Sequence, residues 1–138
     1  MREFDLHILE ADSVFYEGKC ISLVVPTTEG LYGVQAGHEN LIAAIVIGTV
    51  KYTLPDGSEH YAAISGGLLK VEDNDVLILA ESCEHPEEID ENRLRKEREQ
   101  AEEEIQSKRS LEEYEIAQAR MARAINRLKV KKKYGSKL

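Results

Sequence analysis

Polar and apolar residues alternate from the start of the chain, with Phe4, Leu6 and Ile8 apolar and Asp5 and His7 polar. A period of two places the apolar set on one face of an extended strand. Further short strand patterns follow at Ser13–Glu17, Cys20–Val25, Leu31–Val34, Leu41–Val46, Thr49–Leu54, His60–Ile64, Leu68–Val71 and Val76–Ala80. Turn signals separate them: Glu17-Gly18, Glu29-Gly30, Pro55-Asp56-Gly57, Gly66-Gly67 and Asp73-Asn74-Asp75. Strands this short and this closely spaced leave no room for crossover helices. The pattern predicts eight to ten strands in an antiparallel β-sandwich or barrel.

The period changes at residue 86. Pro86 suits the first turn of a helix, and residues 87–133 contain neither Gly nor Pro. A first helix is expected over about 87–107, with only Ile89, Leu94, Ala101 and Ile105 apolar. Ser110 followed by Glu113 forms a capping box that starts a second helix. There Leu111, Tyr114, Ala117, Met121, Ala124, Ile125 and Leu128 step by three and four into one stripe. Lys129, Lys131, Lys132 and Lys133 suit its C-terminal dipole, and Tyr134–Leu138 are expected to fray. Helices with seams this thin gain most of their stability from packing, which is the recipe for an element with two arrangements. The fold class is therefore α+β: an antiparallel β-sandwich or barrel over 1–86, then an antiparallel two-helix hairpin over 87–138.

Charge sharpens the division. The 138 residues carry a formal net charge of −8. Residues 1–86 hold 4 Lys/Arg against 14 Asp/Glu, residues 87–109 hold 6 against 9, and residues 110–138 hold 8 against 3. An acidic first domain argues against a general nucleic-acid binder. No apolar run approaches a membrane span, and Met1–Ser13 lacks the apolar stretch of a signal peptide. Cys20 and Cys83 fit no metal spacing and are expected to be buried, reduced thiols. There is no Walker loop, Rossmann fingerprint or Cys-x-x-Cys pair, and no nucleophile–base pair emerges, which disfavours a small enzyme.

Three groups carry candidate chemistry. Glu29-Gly30, Gly33 and Gly37-His38 space a loop that reads either as tight turns or as a partner-binding surface. Ser65-Gly66-Gly67 reads as a bulge or bend more readily than as an anion nest. Glu84, Asp90 and Arg93 cluster where strands give way to helix; Asp90 and Arg93 are spaced for an i,i+3 ion pair. Arg120, Arg123 and Arg127 form a cationic ridge on helix two, and a hairpin would bring Arg123 and Arg127 toward Arg93. Converging guanidiniums suit phosphate through bidentate hydrogen bonds.

Taken in order, the residues become specific. Val25-Pro26, Glu29-Gly30, Gly33-Val34, Gly37-His38-Glu39-Asn40-Leu41, Gly48 and Ile64-Ser65-Gly66-Gly67 are followed by Asp75-Val76 and Ile78-Leu79-Ala80. Then come Ile89-Asp90, Arg93 and Ala122-Arg123-Ala124-Ile125-Asn126-Arg127-Leu128. Over about residues 3–130 this closely resembles the epsilon subunit of bacterial F-type ATP synthases. The resemblance implies an N-terminal antiparallel ten-stranded β-sandwich over 1–86 and a C-terminal two-helix antiparallel hairpin over 87–138, in a non-catalytic subunit of the central-stalk rotor at the cytoplasmic face of the bacterial plasma membrane, peripheral and without direct membrane insertion. Its partners would be the gamma subunit, the c-ring and the alpha/beta catalytic head. Glu29, Leu31, His38 and Glu39 match the family's interface surface. Many members carry an acidic residue at Leu31 and a proline at Ala36.

The family's hairpin lies folded on the sandwich or extends into the catalytic head, where its basic second helix inhibits ATP hydrolysis; Arg120, Arg123 and Arg127 would serve there. No cofactor is required, but some members bind ATP as a regulatory ligand through an Ile/Leu-Asp-x-x-Arg-Ala motif. Ile89-Asp90-Glu91-Asn92-Arg93-Leu94 matches it except at Leu94, and Gln100 replaces a further arginine. By resemblance Glu84 would meet the adenine amino group, Asp90 and Arg93 would order the site, and Arg123 and Arg127 would hold phosphates. The rival from another class is a stand-alone sandwich-plus-hairpin protein-binding module, which predicts no stable complex with a gamma subunit.

Overall fold

The computed structural model describes residues 2–107 and 110–135. The chain divides into two compact units, Met1–Glu84 and His85–Leu138.

The first unit contains ten strands: β1 (Phe4–Leu9), β2 (Val14–Cys20), β3 (Ser22–Thr27), β4 (Gly30–Val34), β5 (Leu41–Ile45), β6 (Gly48–Thr53), β7 (Glu59–Ile64), β8 (Gly67–Glu72), β9 (Asp75–Ala80) and β10 (Cys83–Glu84). Hydrogen bonding runs in the order β10-β7-β6-β3-β5-β8-β9-β1-β2, and β4 pairs with β3. Folded over on itself, this sheet encloses Phe4, Leu6, Ile8, Leu23, Val25, Val50, Ile64, Leu69 and Ile78, all essentially without solvent contact. The period of two in β1 is realised with Phe4, Leu6 and Ile8 inward. Inward residues from nearly every strand thus share one apolar core, the main source of the unit's stability.

One pairing departs from the antiparallel expectation. β1 runs parallel to β9, with Leu6 opposite Val76 and Ile8 opposite Ile78. The two strands are distant in sequence, so no short turn dictates their direction. A second departure lies at Glu17-Gly18, expected as a turn. Gly18 is inside β2, opposite Leu6, and the chain bends at Ile21 instead. A Cβ at Gly18 would lie 2.8 Å from the Tyr16 hydroxyl, so the glycine makes room for that ring. The two-residue strand β10, opposite Ile64 and Ala63, has no periodicity for sequence reasoning to detect.

The hairpin signals at Asp73-Asn74 and Gly66-Gly67 have clear backbone causes. Asp73 and Asn74 join β8 to β9 with φ of 50° and 65°, the doubly left-handed turn that matches strand twist. Gly67, at φ 154°, sits where a Cβ would lie 2.1 Å from the Leu79 carbonyl oxygen. Ser65-Gly66-Gly67 is accordingly a close-approach bend.

In the second unit a 3₁₀ turn, Pro86–Glu88, precedes α1 (Glu91–Ser107) and α2 (Leu111–Tyr134). The first helix starts four residues later than expected, because Asp90 terminates it: its carboxylate accepts the Arg93 backbone N–H at 3.1 Å. Ser110 caps α2, accepting the Glu113 N–H at 3.1 Å. Leu94 and Ala101 are buried on α1, as are Ala117, Ala124 and Val130 on α2, while Leu111, expected within the stripe, is exposed. Of the residues expected to fray, Ser136–Leu138 lie outside the described set; Tyr134 ends α2, and the Gly135 N–H bonds the Lys131 carbonyl at 2.8 Å.

Candidate functional site

The hairpin gathers arginines and acids by simple spacing. Glu97 and Glu104 lie seven residues apart on α1; Arg120 and Arg127 lie seven apart on α2. Seven residues are nearly two helical turns, so each pair shares a flank. Antiparallel packing sets them against each other. Arg120 Nη1 donates to both carboxylate oxygens of Glu104, at 2.9 and 2.8 Å. Arg127 Nη1 stands 3.9 Å from Glu97 Oε2. On the other oxygen, Glu97 Oε1 is 3.4 Å from Arg93 Nε. Arg93 and Arg127 therefore converge, as the sequence suggested, around a carboxylate that it did not single out. The matched heptad interval of opposite charges was the signal that could have found Glu97 and Glu104.

Arg123 lies on α2 between Arg120 and Arg127, and its side chain makes no ion pair or hydrogen bond among the described residues. Asp90 is not spaced into an ion pair with Arg93. Its side chain caps the helix, its backbone carbonyl accepts the Leu94 N–H at 3.1 Å, and the Arg93 guanidinium turns to Glu97 instead. Leu94, where the motif has alanine, is fully buried and serves packing. Glu84 belongs to the first unit, half-buried on β10. Beside it, burial pushes the Cys83 thiol up to about 12, with Glu10 and Glu84 adding to the rise, so it is a poor nucleophile at neutral pH. Cys20 is likewise free, buried and shifted upward by desolvation. What the hairpin cluster offers chemically is cationic, fork-shaped hydrogen bonding for an anion.

The second group lies along β4 and its flanking turns. Thr27 builds the β3–β4 turn: its hydroxyl donates to the Gly30 carbonyl at 2.7 Å and accepts the Glu29 N–H at 3.3 Å. Glu29 and Leu31 are exposed there, Leu31 at 76%. His38 and Glu39 belong to a different loop, beyond the far end of β4, so the expected single loop is two. Tyr32 on β4 ties the second loop back. His38 Nδ1 is 2.7 Å from the Glu39 carbonyl, which can only accept, so in the neutral ring Nδ1 holds the proton and Nε2 receives the Tyr32 hydroxyl at 2.8 Å. Asn74 fixes the same loop, accepting the Gly37 N–H at 2.9 Å and donating to the Glu3 carbonyl at 2.9 Å. Tyr32 and Asn74 are positioning residues; the sequence marks Asn74 only as part of a turn and gives no sign of either residue's hold on this loop. Both act across a fold that only tertiary structure brings together.

An apolar row crosses the outer face of the sheet. Ala44, Leu68 and Leu79 stand in register on β5, β8 and β9, all exposed, with half-buried Leu9 continuing the row on β1 and exposed Ile42 beside it.

Comparison with known proteins bears on both units. Residues 3–86 match the family described as "ATP synthase, Delta/Epsilon chain, beta-sandwich domain", and residues 87–132 match "ATP synthase, Delta/Epsilon chain, long alpha-helix domain". An ATP synthase epsilon chain of Caldicellulosiruptor saccharolyticus is 40% identical over 130 residues, covering 94% of each chain. The ATP synthase epsilon chain of Shouchella clausii is 35% identical, covering 99% of this chain and all of its own. Among solved structures, a chain of the Euglena gracilis mitochondrial ATP synthase, in its OSCP/F1/c-ring assembly, superposes with a TM-score of 0.77 at 25% identity. That match covers 87% of this chain and 76% of the other. A chain of the Tetrahymena thermophila mitochondrial central stalk and c-ring shares the fold at 14% identity, with a TM-score of 0.60.

Proposed function

The chain belongs to the ATP synthase delta/epsilon family, and from that premise we propose that it is a non-catalytic rotor subunit whose hairpin acts as an ATP-responsive brake on hydrolysis. The observation that carries the rotor reading is the fold match, across most of the chain, to a chain in an F1/c-ring assembly. The sandwich grips a gamma subunit and rests on the c-ring; the hairpin, when opened, meets the alpha/beta head. The exposed row Ala44, Leu68 and Leu79 supports a protein partner on the sandwich, since contiguous apolar surface is a signature of interfaces. Glu29, Leu31, His38 and Glu39 offer an edge with a fixed histidine loop for the ring. No helix among the described residues is long and apolar enough to cross a membrane, and we place the protein peripherally, on the cytoplasmic face of a bacterial plasma membrane.

The brake reading rests on the hairpin. The net +5 of residues 110–138 favours acidic surfaces of the catalytic head through electrostatic complementarity. Arg93, Arg123 and Arg127 take ATP phosphates in the closed hairpin, and Asp90 orders the first turn that carries Arg93. ATP then favours the closed form and relieves inhibition, by as much as it prefers that form over the open one. Co-purification with a gamma subunit tests the rotor assignment. The reading expects a stable complex that Leu68→Glu and Leu79→Glu weaken; a chain that forms no such complex is the stand-alone binding module instead.

A further inference from the structure

We propose that the free edge of β4 is a strand acceptor: an extended, neutral or basic segment of a partner polypeptide adds to the sheet there through the backbone of Leu31 and Gly33. The inference rests on the reading of Glu29 and Leu31 as a partner-facing edge and specifies how that edge makes contact. Among the described residues β4 pairs only with β3. Two hydrogen bonds fix which of its backbone groups are already used. The Pro26 carbonyl accepts the Val46 N–H at 2.9 Å, so Pro26 in β3 faces away from β4. The Gly30 carbonyl accepts the Thr27 hydroxyl at 2.7 Å, so Gly30 in β4 faces β3. In an antiparallel strand the N–H and C=O of one residue point to the same side, and the side alternates along the chain. Tyr32, opposite Val25, and Val34, opposite Leu23, therefore face β3 as well, while the N–H and C=O of Leu31 and Gly33 point outward. No hydrogen bond among the described residues takes up these outward groups.

The side chains fit an added strand. Leu31 is 76% exposed, and Gly33, also exposed, presents no side chain. An incoming strand can set an apolar side chain beside Leu31 and has room for an aromatic ring across from Gly33. The other terminal strands are guarded and this one is not. β2 carries Glu17 and Lys19, and its register with β1 is irregular at Ile8/Leu9. β10 is two residues long. Charge, irregular register and shortness all discourage strand addition, whereas β4 has five residues in unbroken register with no charge and no proline. Charge also decides between occupants. Residues 1–86 hold 14 Asp/Glu against 4 Lys/Arg, and Glu29 is exposed in the turn that leads into β4. A second copy would bring like charge against like, while a neutral or basic segment is tolerated or attracted.

Amide hydrogen exchange on the full chain, alone and mixed with a gamma subunit and a detergent-solubilised c-ring, tests this. In the free chain Leu31 and Gly33 should exchange at least about tenfold faster than Tyr32 and Val34, and in the complex they should slow by about tenfold or more. Gly33→Pro removes one outward N–H and leaves the β3 ladder whole; a Cβ there meets only the Leu23 carbonyl oxygen, at 4.0 Å. It should stay folded by thermal unfolding and bind the partner about tenfold or more weakly. Gly33→Ala keeps the N–H and should bind within about twofold of wild type. Leu31→Lys puts a charge on the edge and should weaken binding with the ladder intact. A complex in which Leu31 and Gly33 still exchange fast, or which Gly33→Pro forms as tightly as wild type, overturns strand addition and leaves the rotor reading intact. Loss of the folded sandwich in Gly33→Pro overturns the assigned register and the proposal with it. Slow exchange of both amides in the free chain that deepens with its concentration gives the edge to a second copy and overturns the partner. If no complex forms, the rotor reading fails, and the probe becomes a capped peptide alternating threonine with valine and tyrosine between flanking lysines. The same slowing of Leu31 and Gly33 by that peptide supports the strand acceptor, and unchanged exchange overturns it.

Discussion

Replacing Asp90 with alanine separates two roles that coincide in one residue. Its carboxylate accepts the Arg93 N–H at 3.1 Å, and its carbonyl accepts the Leu94 N–H at 3.1 Å. Alanine deletes the first bond and leaves a donor at the start of α1 unsatisfied by protein. Loss of such a cap costs about 1 kcal/mol, roughly a fivefold shift in the equilibrium of the first turn. Arg93 is carried by that turn, so if ATP selects the closed hairpin its apparent affinity falls by about the same factor. Asparagine caps as well as aspartate does, so Asp90→Asn should preserve both the turn and most of the affinity. Amide hydrogen exchange at Arg93 and Leu94 reads the cap, and calorimetry on the same samples reads ATP. The expected order is faster exchange and weaker binding together in Asp90→Ala, and neither in Asp90→Asn. If Asp90→Asn lowers affinity as far as Asp90→Ala while exchange stays at the wild-type rate, Asp90 touches the nucleotide and the capping argument fails.

Other outcomes follow from the sandwich. Gly67→Ala should lower stability by more than about 3 kcal/mol, because its Cβ would fall 2.1 Å from the Leu79 oxygen at a backbone φ of 154°; a thermal shift of only a degree or two contradicts this. Leu6→Ala, at a site with no solvent contact, should cost about 2–5 kcal/mol in denaturant unfolding, and a value near zero would place Leu6 outside the core. His7 lies between Glu17 Oε1 at 2.8 Å and Asp75 Oδ1 at 3.1 Å, and the hydrogen bond to Glu17, aided by both carboxylate charges, raises its pKa above 6.5. The stabilisation is then full below that ordinary value and is lost as pH rises through the raised one. The stability gap between wild type and His7→Asn should accordingly be widest below pH 6.5 and narrow as pH rises above it, and a flat gap contradicts it. The buried Cys83 thiol, pushed up to about 12, should resist thiol reagents until the protein unfolds; rapid native labelling would contradict its burial.

The strands were legible where local chemistry decided them. Alternation placed Phe4, Leu6 and Ile8 inward, and Asp73-Asn74 marked a turn that few other residue pairs adopt. Gly18 misled because a glycine within a strand and a glycine in a turn look alike in sequence; the Tyr16 ring, two residues away, makes the difference through its packing. The parallel β1–β9 pair and the short β10 depend on long-range contacts with no local pattern. In the hairpin, Ser110 and the apolar stripe mark α2, whereas Asp90 falls within the helix that the pattern predicts and instead caps it through its short acceptor side chain. The arginines could be named from spacing. Their partners Glu97 and Glu104 required the register between helices, which sequence spacing within one helix does not supply.

In the proposed brake, the hairpin's arginines form a site for ATP phosphates. Calorimetric titration of the full chain with ATP, beside the Arg123→Ala, Arg127→Ala double variant, tests it most directly. The expected result is saturable binding in the wild type that the double variant loses while its β-sandwich stays folded. An absence of binding up to millimolar ATP, or binding unchanged in the double variant, would contradict it.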